Sequence, residues 1–452
     1  MGSSRAWMKT FSVLFLAAGL ALVAGLKAVG EPQGAHAQQD GRLTWLKLSD
    51  RKPAAMAFSP NFPEDRLVLI GNSNKDNEFG IWRSTDGGET WVKSSEGIPE
   101  AKEINVYDIV FSPDFADDQT IFASVNKQRV TLGEATGALF RSTDAGQTWT
   151  EIEMSGFPSR GARPLQDLVS LSLSPGFAQD GTMFAVASAV GLYRSTDRGN
   201  TWQQLLAENA NEIQVSPAFA EDHLVAAATA NSGILFSTDG GDTWNPRNTG
   251  LEGVRNFKRM VFSSNFKQDR SILTMSVSHG IFITRNAGES WENIGKPPEG
   301  EQMLLMATNS RFNVDGFVAY SLRNAAIFLS KDLGRTWEDT DSAGILGGQI
   351  LAMFMPPDYA TSQTLYAVSV FGGLHRYHPV LAGSEAAATA TAVAAHATAT
   401  AVAIPTAMAL EQKIKEETLK ETGCITFYIP PTVLLGIWAL RRRSRRGQKD
   451  GA

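Results

Sequence analysis

Short apolar runs of about five residues, separated by turns rich in Gly, Asp, Asn, Ser and Pro, follow one another along most of the chain. Between residues 107 and 152 four such runs occur in order, namely Tyr107–Phe111, Thr120–Val125, Gly137–Arg141 and Thr148–Ile152. Runs of this length, bounded by turn residues, indicate β-strands rather than helices. The pattern predicts an all-β domain in which four consecutive strands form one structural unit.

Two motifs repeat through this domain. The first is Ser-Thr-Asp-Gly-Gly-Glu-Thr-Trp at Ser84–Trp91, and related stretches start at Ser142, Ser195, Ser237, Thr284 and Ser330. The second is Ser-Pro-Asn-Phe followed by Asp65, and its copies start at Ser59, Ser112, Ser174, Ser216, Ser263, Asn309 and Pro356. Consecutive copies of the second motif lie 42 to 62 residues apart. A repeat of this length that holds four short strands predicts the blades of a seven-bladed β-propeller.

The last blade lacks one strand of its own. The unit Gln349–Val380 supplies three strands, and no Thr-Trp strand follows it. The missing strand is predicted at Leu43–Leu48, where Thr44-Trp45 matches the start of the fourth strand in the other units. An N-terminal strand in this place would close the ring and remove its open sheet edge.

The first repeated turn is predicted to be structural. Its Asp carboxylate can accept backbone N–H bonds, its Gly can adopt a positive φ, and its Trp is expected between neighbouring sheets. This role is assigned to Asp86, Trp91, Asp144, Trp149, Asp197, Trp202, Asp239, Trp244, Trp291, Asp332 and Trp337.

The N-terminus has the order of a secretory signal peptide, residues 1–37. Basic Arg5 and Lys9 precede the apolar run Phe11–Gly25, and small residues end in Ala35-His36-Ala37. We expect export of residues 38–380, the propeller, with cleavage after Ala37. An uncleaved N-terminal anchor is the alternative.

The C-terminal part predicts a membrane anchor. Residues 381–421 form an Ala/Thr-rich stalk with a charged juxtamembrane end, 422–440 a transmembrane or sorting segment, and 441–452 a basic tail. The arginine cluster places the C-terminus in the cytoplasm. A buried amphipathic segment is the alternative to the anchor. Cys424 is a candidate for processing or lipid attachment, and an inert thiol fits the sequence equally well.

Charge and cysteine content exclude several classes of function. The formal net charge is −6, although both ends of the chain are basic, so the body is strongly acidic and unsuited to nucleic acid. The single cysteine excludes a disulfide framework, a cysteine-based zinc site and an iron–sulfur cluster. The six histidines show no metal-ligand spacing, so no cofactor is predicted.

The repeated turns resemble those of the Asp-box (BNR) propellers. That group includes sialidases, some glucanases, sortilin-type receptor domains and the exported propellers similar to photosystem II stability/assembly factors. The resemblance covers about residues 43–380 and is closest to the assembly-factor-like group, which is also an exported single ring. It implies the fold and does not select a function, because the shared turns lie away from the usual site.

Long loops are predicted on one face of the ring. They carry Lys127, Arg129, Arg160 and Arg163, which we take as a candidate partner-binding rim on an acidic body. Ordinary solvated loops are the alternative. The sequence thus favours a non-enzymatic, extracytoplasmic, membrane-anchored propeller that binds a protein or an extracellular polymer, in an oligomeric state that stays open.

The alternative function is a glycan-active hydrolase. Glycoside hydrolysis needs two carboxylates about 5–9 Å apart. Asp108, Asp167 and Glu212 begin predicted inner strands and are the candidates, although acidic residues are also typical of a solvated channel lining. The Arg-Ile-Pro motif that sialidase-like chemistry implies is absent from the sequence.

Overall fold

The computed structural model describes residues 45–72, 79–99, 104–128, 135–157, 168–188, 190–342, 346 and 348–377. In this part of the chain, seven four-stranded antiparallel sheets form the blades of a propeller. We call the strands of each blade a to d, from the inside of the ring outward. The predicted all-β, seven-bladed fold is confirmed.

Each sheet is a simple up-and-down meander. The first strand of the chain, β1 (Trp45–Ser49), belongs to blade 7. Blade 1 contains β2 (Pro53–Phe58), β3 (Val68–Asn72), β4 (Gly80–Ser84) and β5 (Val92–Lys93). Blade 2 contains β6 (Ile104–Phe111), β7 (Ile121–Gln128), β8 (Ala135–Ser142) and β9 (Thr150–Ile152). Blade 3 contains β10 (Leu168–Leu173), β11 (Met183–Ala187), β12 (Gly191–Ser195) and β13 (Gln203–Leu206).

The remaining blades repeat this order. Blade 4 contains β14 (Ala210–Val215), β15 (Val225–Thr229), β16 (Ile234–Ser237) and β17 (Asn245–Pro246). Blade 5 contains β18 (Phe257–Phe262), β19 (Ile272–Ser276), β20 (Gly280–Thr284) and β21 (Glu292–Gly295). Blade 6 contains β22 (Met303–Ala307), β23 (Val318–Leu322), β24 (Ile327–Ser330) and β25 (Glu338–Asp339). Blade 7 contains β26 (Ile350–Phe354), β27 (Leu365–Ser369) and β28 (Gly373–Tyr377), with β1 as its strand d.

The second repeated motif forms a single helical turn between strands a and b. In blade 1, Phe62 is buried at the start of this turn, and the Ser59 hydroxyl donates to the Asp65 carboxylate at 2.5 Å. Asp65 also accepts the Leu67 N–H, at 2.9 Å. The motif therefore fixes the a–b corner of each blade. The seven turns are α1 (Phe62–Asp65), α2 (Phe115–Asp118), α3 (Phe177–Asp180), α4 (Phe219–Asp222), α5 (Phe266–Asp269), α6 (Phe312–Asp315) and α7 (Tyr359–Ser362).

Strand β1 lies antiparallel to β28, with Trp45 opposite Tyr377 and Lys47 opposite His375. Trp45 is 7% exposed, and its indole N–H donates to the Thr340 carbonyl of blade 6 at 3.1 Å. The strand expected at Leu43–Leu48 thus corresponds to Trp45–Ser49 in the described residues. Blade 7 and blade 1 also meet directly, because the Tyr366 hydroxyl donates to the Gly87 carbonyl at 2.7 Å.

The hydrophobic core is divided among the blade junctions. Seven clusters of buried side chains each combine residues of two neighbouring blades. The cluster between blades 7 and 1 joins Tyr366 and Val368 to Phe62 and Ile70. Because apolar burial is the main favourable contribution to folding, the blades stabilise one another around the whole ring.

One predicted loop is wrong in its bounds. The predicted strands Thr120–Val125 and Gly137–Arg141 leave residues 126–136 of blade 2 between them as a long b–c loop, but β7 continues to Gln128 and β8 begins at Ala135. The two strands stay paired over this extension, with Lys127 opposite Thr136. The polar composition of the segment suggested a loop, whereas cross-strand pairing with the inner strand β6 extends the sheet.

Candidate functional site

The ring has two faces with different contents. One face, called here the box face, carries the a–b corners and the c–d turns with their Ser-x-Asp-x-Gly-x-Thr-Trp motif. The other, the variable face, carries the b–c and d–a loops. The chain enters the ring at Trp45 and leaves it at Tyr377, which are paired on the box face.

The Asp residue of the box turn bonds within its own turn. In blade 1 the Ser84 hydroxyl donates to Asp86 at 2.7 Å, and the Thr90 N–H and hydroxyl donate to the same carboxylate at 3.0 and 2.5 Å. Bonds of this kind lower the pKa of Asp332 to about 2, with the Thr336 hydroxyl as the main cause. The same bonds surround Asp144, Asp197, Asp239 and Asp332. In each of these turns the carboxylate therefore connects residues of its own turn.

The box tryptophans pack between blades to different degrees. Trp149, Trp202 and Trp291 are buried, and the Trp149 indole N–H donates to the Ser94 carbonyl of the preceding blade at 2.8 Å. Trp91, Trp244 and Trp337 are half-buried. In the blades of these three tryptophans the outer strand d is only two residues long.

Every inner strand has a register shift near its first residues, which lie at the variable face. In blade 2 the shift lies between Val106 and Asp108. A bulge of this kind changes the direction of the side chains that follow it. The residues directly after the shift are Ala55, Asp108, Ser170, Glu212, Arg259, Leu305 and Ala352.

In three successive blades the residue after the shift bonds to the backbone of the next blade. Asp108 accepts the Leu171 N–H at 2.9 Å, and the Ser170 hydroxyl accepts the Ile213 N–H at 3.4 Å. The Glu212 carboxylate accepts the Met260 N–H. These bonds join the inner strands of blades 2 to 5. We call Asp108, Ser170 and Glu212 the inner bridges.

The two acidic inner bridges have raised pKa values. Burial raises the pKa of Glu212 to about 7, and the nearby Asp108 charge adds to this, while Arg259 acts in the opposite direction. Burial likewise raises the pKa of Asp108 to about 6 against the effect of its backbone bonds and of Arg259. The Arg259 guanidinium lies 3.7 Å from Glu212, and its side chain is 56% exposed.

These contacts limit the chemistry of the candidate carboxylates. Perturbed pKa values occur in active sites and also in structural networks. Asp108 accepts a backbone N–H on each oxygen, from Ile109 and Leu171, and Glu212 is buried and bonded by Gln214. A general acid or base must face its substrate. The third candidate, Asp167, lies outside the described residues.

The mouth of the channel on the variable face is positively charged at blade 5 and apolar at blade 7. At blade 5, Arg255 and Lys258 are exposed beside Arg259. At blade 7, Leu351 is 46% and Phe371 80% exposed. The Phe371 ring lies against Gly348, where an added Cβ would come within 2.8 Å of it. This arrangement suits a ligand that has both anionic and apolar groups.

The predicted rim is placed only in part. The backbone of Lys127 lies in β7, so this residue is in a strand and not in the expected loop. Arg129, Arg160 and Arg163 lie outside the described residues, and so do the predicted processing positions Ala37 and Cys424. The rim stays a prediction.

Sequence reasoning missed the cations of blade 5. Lys258 and Arg259 are polar residues inside an otherwise apolar inner strand, Phe257–Phe262, just as Asp108 and Glu212 are in theirs. A polar residue at this shared position was the sequence signal for a functional side chain. The direction of the side chain could not be predicted from strand alternation, because the register shift intervenes.

The described ranges contain neither a candidate metal site nor a candidate membrane-spanning helix. No group of three or more His, Cys, Asp or Glu side chains there could hold a metal ion. No helix among the described residues is long and apolar enough to cross a membrane. The predicted stalk, anchor and tail, residues 381–452, lie outside these ranges.

Comparison with known proteins agrees with the fold. Residues 167–386 match the DUF6242 beta propeller domain. The solved structure of YCF48 bound to D1 peptide is 16% identical, with a TM-score of 0.51, and covers 74% of this chain and 96% of its own. YCF48 from Cyanidioschyzon merolae is 18% identical, with the same TM-score, and covers 74% and 99%. The expected closeness to assembly-factor-like propellers is therefore supported at the level of fold.

Glycan-active enzymes are also among the similar proteins. The GH74 enzyme of Niastella koreensis is 16% identical, with a TM-score of 0.54, and covers 75% of this chain and 55% of its own. Xyloglucanase Xgh74A of Acetivibrio thermocellus is 28% identical over 200 residues, which are 38% of this chain and 23% of the enzyme. The chain thus matches about a quarter of the length of this curated relative.

Proposed function

We propose that this protein is a non-enzymatic, extracytoplasmic, membrane-anchored propeller that binds an extended protein segment at the channel mouth on its variable face. The main support is the use of the inner carboxylates. Asp108 and Glu212 hold neighbouring blades together, so these two carboxylates act as structural contacts rather than as an acid–base pair.

The mouth supplies the groups for binding. Exposed Arg255 and Lys258 of blade 5 would contact anionic side chains, and Leu351 and Phe371 of blade 7 would contact apolar ones. Charged groups at such a rim mainly increase the association rate and the specificity. The predicted rim of Lys127, Arg129, Arg160 and Arg163 would extend this positive region. A polymer with anionic groups is the other partner class that such a surface fits.

The export and anchoring in this proposal rest on the sequence. The signal peptide at 1–37, the apolar segment at 422–440 and the arginine cluster after it support a body outside the cytoplasm. The ring's two chain ends, Trp45 and Tyr377, both emerge on the box face.

Partner capture by the full chain from membranes of the source organism tests the proposal. Reversal of Arg255 and Lys258 to Glu is expected to reduce capture at least tenfold and to make the remaining capture less sensitive to salt. The control reverses Lys267 and Arg270 on the box face, where Lys267 pairs with Glu221. Equal losses in both variants would show that net charge alone matters and would remove the proposed site.

The second candidate function is xyloglucan or related glycan hydrolysis, favoured by the 28% identity to xyloglucanases. Release of reducing ends from xyloglucan by the wild-type chain, abolished by joint Asp108→Asn and Asp167→Asn replacement, would establish it in place of the main proposal. We expect no release.

A further inference from the structure

Arginines occupy a recurring place between neighbouring blades on the box face. The residue before the last residue of strand c is Arg83 in blade 1, Arg141 in blade 2 and Arg194 in blade 3, and Arg376 holds the matching place in blade 7. The side chains of Arg83, Arg194 and Arg376 contact the box turn of the following blade. The repeat therefore allows the junctions that these arginines border to be compared with one another.

At most of these junctions the guanidinium has a partner in the next box turn. Arg194 donates to the Gly240 carbonyl at 2.9 Å and pairs with Asp242 at 3.0 Å. Arg376 pairs with Glu89, and Arg83 donates to the Ala145 carbonyl at 2.9 Å.

The junction of blades 4 and 5 follows the same principle with a different residue. Strand c carries Phe236 there, and Arg247 instead donates to the Ala287 carbonyl at 2.7 Å and lies 3.5 Å from Glu289. Glu89, Asp242 and Glu289 hold equivalent positions in their box turns. At three junctions, then, a carboxylate of the protein pairs with the inter-blade arginine.

The junction of blades 2 and 3 lacks this carboxylate. The equivalent position is Asn200, and Arg198 stands where the other boxes have an uncharged residue, namely Gly87, Ala145, Gly240, Ala287 or Leu333. Among the described residues, the Arg141 side chain makes no hydrogen bond or ion pair. Arg198 adopts a positive φ of 61° and donates to the Ala178 carbonyl. Two guanidinium groups therefore border one junction without an acidic partner from the box turn.

A cavity of about 320 Å³ lies at this junction. Phe122 and Phe177 form part of its wall with their rings 5.4 Å apart, and Arg141, Arg198 and Thr143 line it. Asp118 also lines it, but its two oxygens accept the Ser112 hydroxyl at 2.6 Å and the Thr120 N–H at 2.8 Å. With one carboxylate against two guanidinium groups, the cavity keeps a net positive charge.

We propose that this cavity is a binding site for an oxyanion group, either a carboxylate or a phosphate or sulfate ester, carried by a small ligand. The ligand supplies to Arg141 the negative oxygens that Glu89, Asp242 and Glu289 supply at three other junctions. The planar guanidinium fork matches carboxylate and phosphate geometry. The site lies on the box face and is independent of the proposed binding at the variable face.

Thermal unfolding of the full chain tests the site, with sodium acetate, phosphate or sulfate compared with chloride at equal ionic strength. Because a ligand that binds the folded state raises its stability, the melting temperature of the wild type should rise with the concentration of at least one oxyanion. A response to acetate would indicate a carboxylate site, and a response to phosphate or sulfate would indicate a site for a tetrahedral oxyanion. Arg141→Gln should weaken the apparent affinity at least tenfold.

Two more variants separate the site from general charge effects. Asn200→Asp restores the missing acidic partner, so it should raise the melting temperature in chloride and abolish the response to oxyanions. Gln147→Asp adds the same charge at the equivalent position of blade 2 and should keep the wild-type response. No oxyanion response in the wild type, or a full response in Arg141→Gln, would overturn the proposal. If Gln147→Asp also lost the response, the effect would come from net charge alone, and the proposed site would be wrong.

Discussion

Replacement of Trp45 by Ala should destabilise the whole ring. Trp45 is 7% exposed, lies 5.1 Å from the Tyr377 ring and donates its indole N–H to the Thr340 carbonyl of blade 6. It therefore links blade 7 to blade 6 through a strand that comes from the other end of the ring domain.

The expected magnitude follows from the buried area. A tryptophan buries roughly 200 Å², and about 25 cal/mol per Å² gives about 5 kcal/mol. Large-to-small replacements of buried aromatic residues cost about 3–5 kcal/mol, which agrees. Trp45→Phe should cost less, because it keeps most of the apolar contact and loses mainly the bond to Thr340, worth about 1 kcal/mol.

Urea unfolding of the full chain, followed by circular dichroism, measures this cost. Leu46→Ala is the matched control, since Leu46 lies on the same strand and is 37% exposed, and it should cost less than about 1 kcal/mol. Equal and small effects of Trp45→Ala and Leu46→Ala would refute the reasoning, because the N-terminal strand would then not complete the last blade.

Two further predictions concern titration and the box turns. The pKa of Glu212 is about 7 in the folded chain and 4.5 as its ordinary value, so the folded state binds more protons between these two pH values. The free energy of unfolding should therefore fall as the pH rises from 5.5 to 8, by at most about 2 kcal/mol, with most of the loss below pH 7. Glu212→Gln should remove most of this dependence in pH-resolved urea titrations, and an unchanged profile would contradict the assignment. Asp144→Ala should lower the free energy of unfolding by about 1–3 kcal/mol, because it leaves the Thr148 N–H without its acceptor. Asp144→Asn should lower it clearly less, since Asn286 holds this position in blade 5 and accepts the Ser290 N–H at 3.0 Å. Equal losses of stability for the two variants in thermal unfolding would show that these bonds do not stabilise the turn.

The architecture could be predicted from the sequence because its repeats are local. The spacing of the two motifs predicted seven units, and the missing Thr-Trp strand at the end pointed to Trp45. Each motif stabilises its own corner, as the bonds of Asp65 and Asp86 show. Such contacts lie within about six residues and therefore leave a readable pattern.

The candidate site was less predictable because its contacts connect different blades. Asp108 and Glu212 were recognised as inner-strand residues, but their bonds to Leu171 and Met260 depend on register shifts and on packing between blades. The sequence analysis also did not predict that Arg141 faces a box turn without an acidic residue at the position of Glu89. The signal for this was Asn200, which stands at that position. The long-loop prediction failed at Lys127, where pairing with Thr136 extends the sheet.

Hydrogen–deuterium exchange of the full chain, alone and in complex with its captured partner, tests the central claim most directly. Binding at the mouth should slow exchange at the starts of β18 and β26 and at the turn around Phe371, with the box turns unchanged. Protection confined to the box turns would contradict the proposal, because the partner would then bind the face opposite to the mouth.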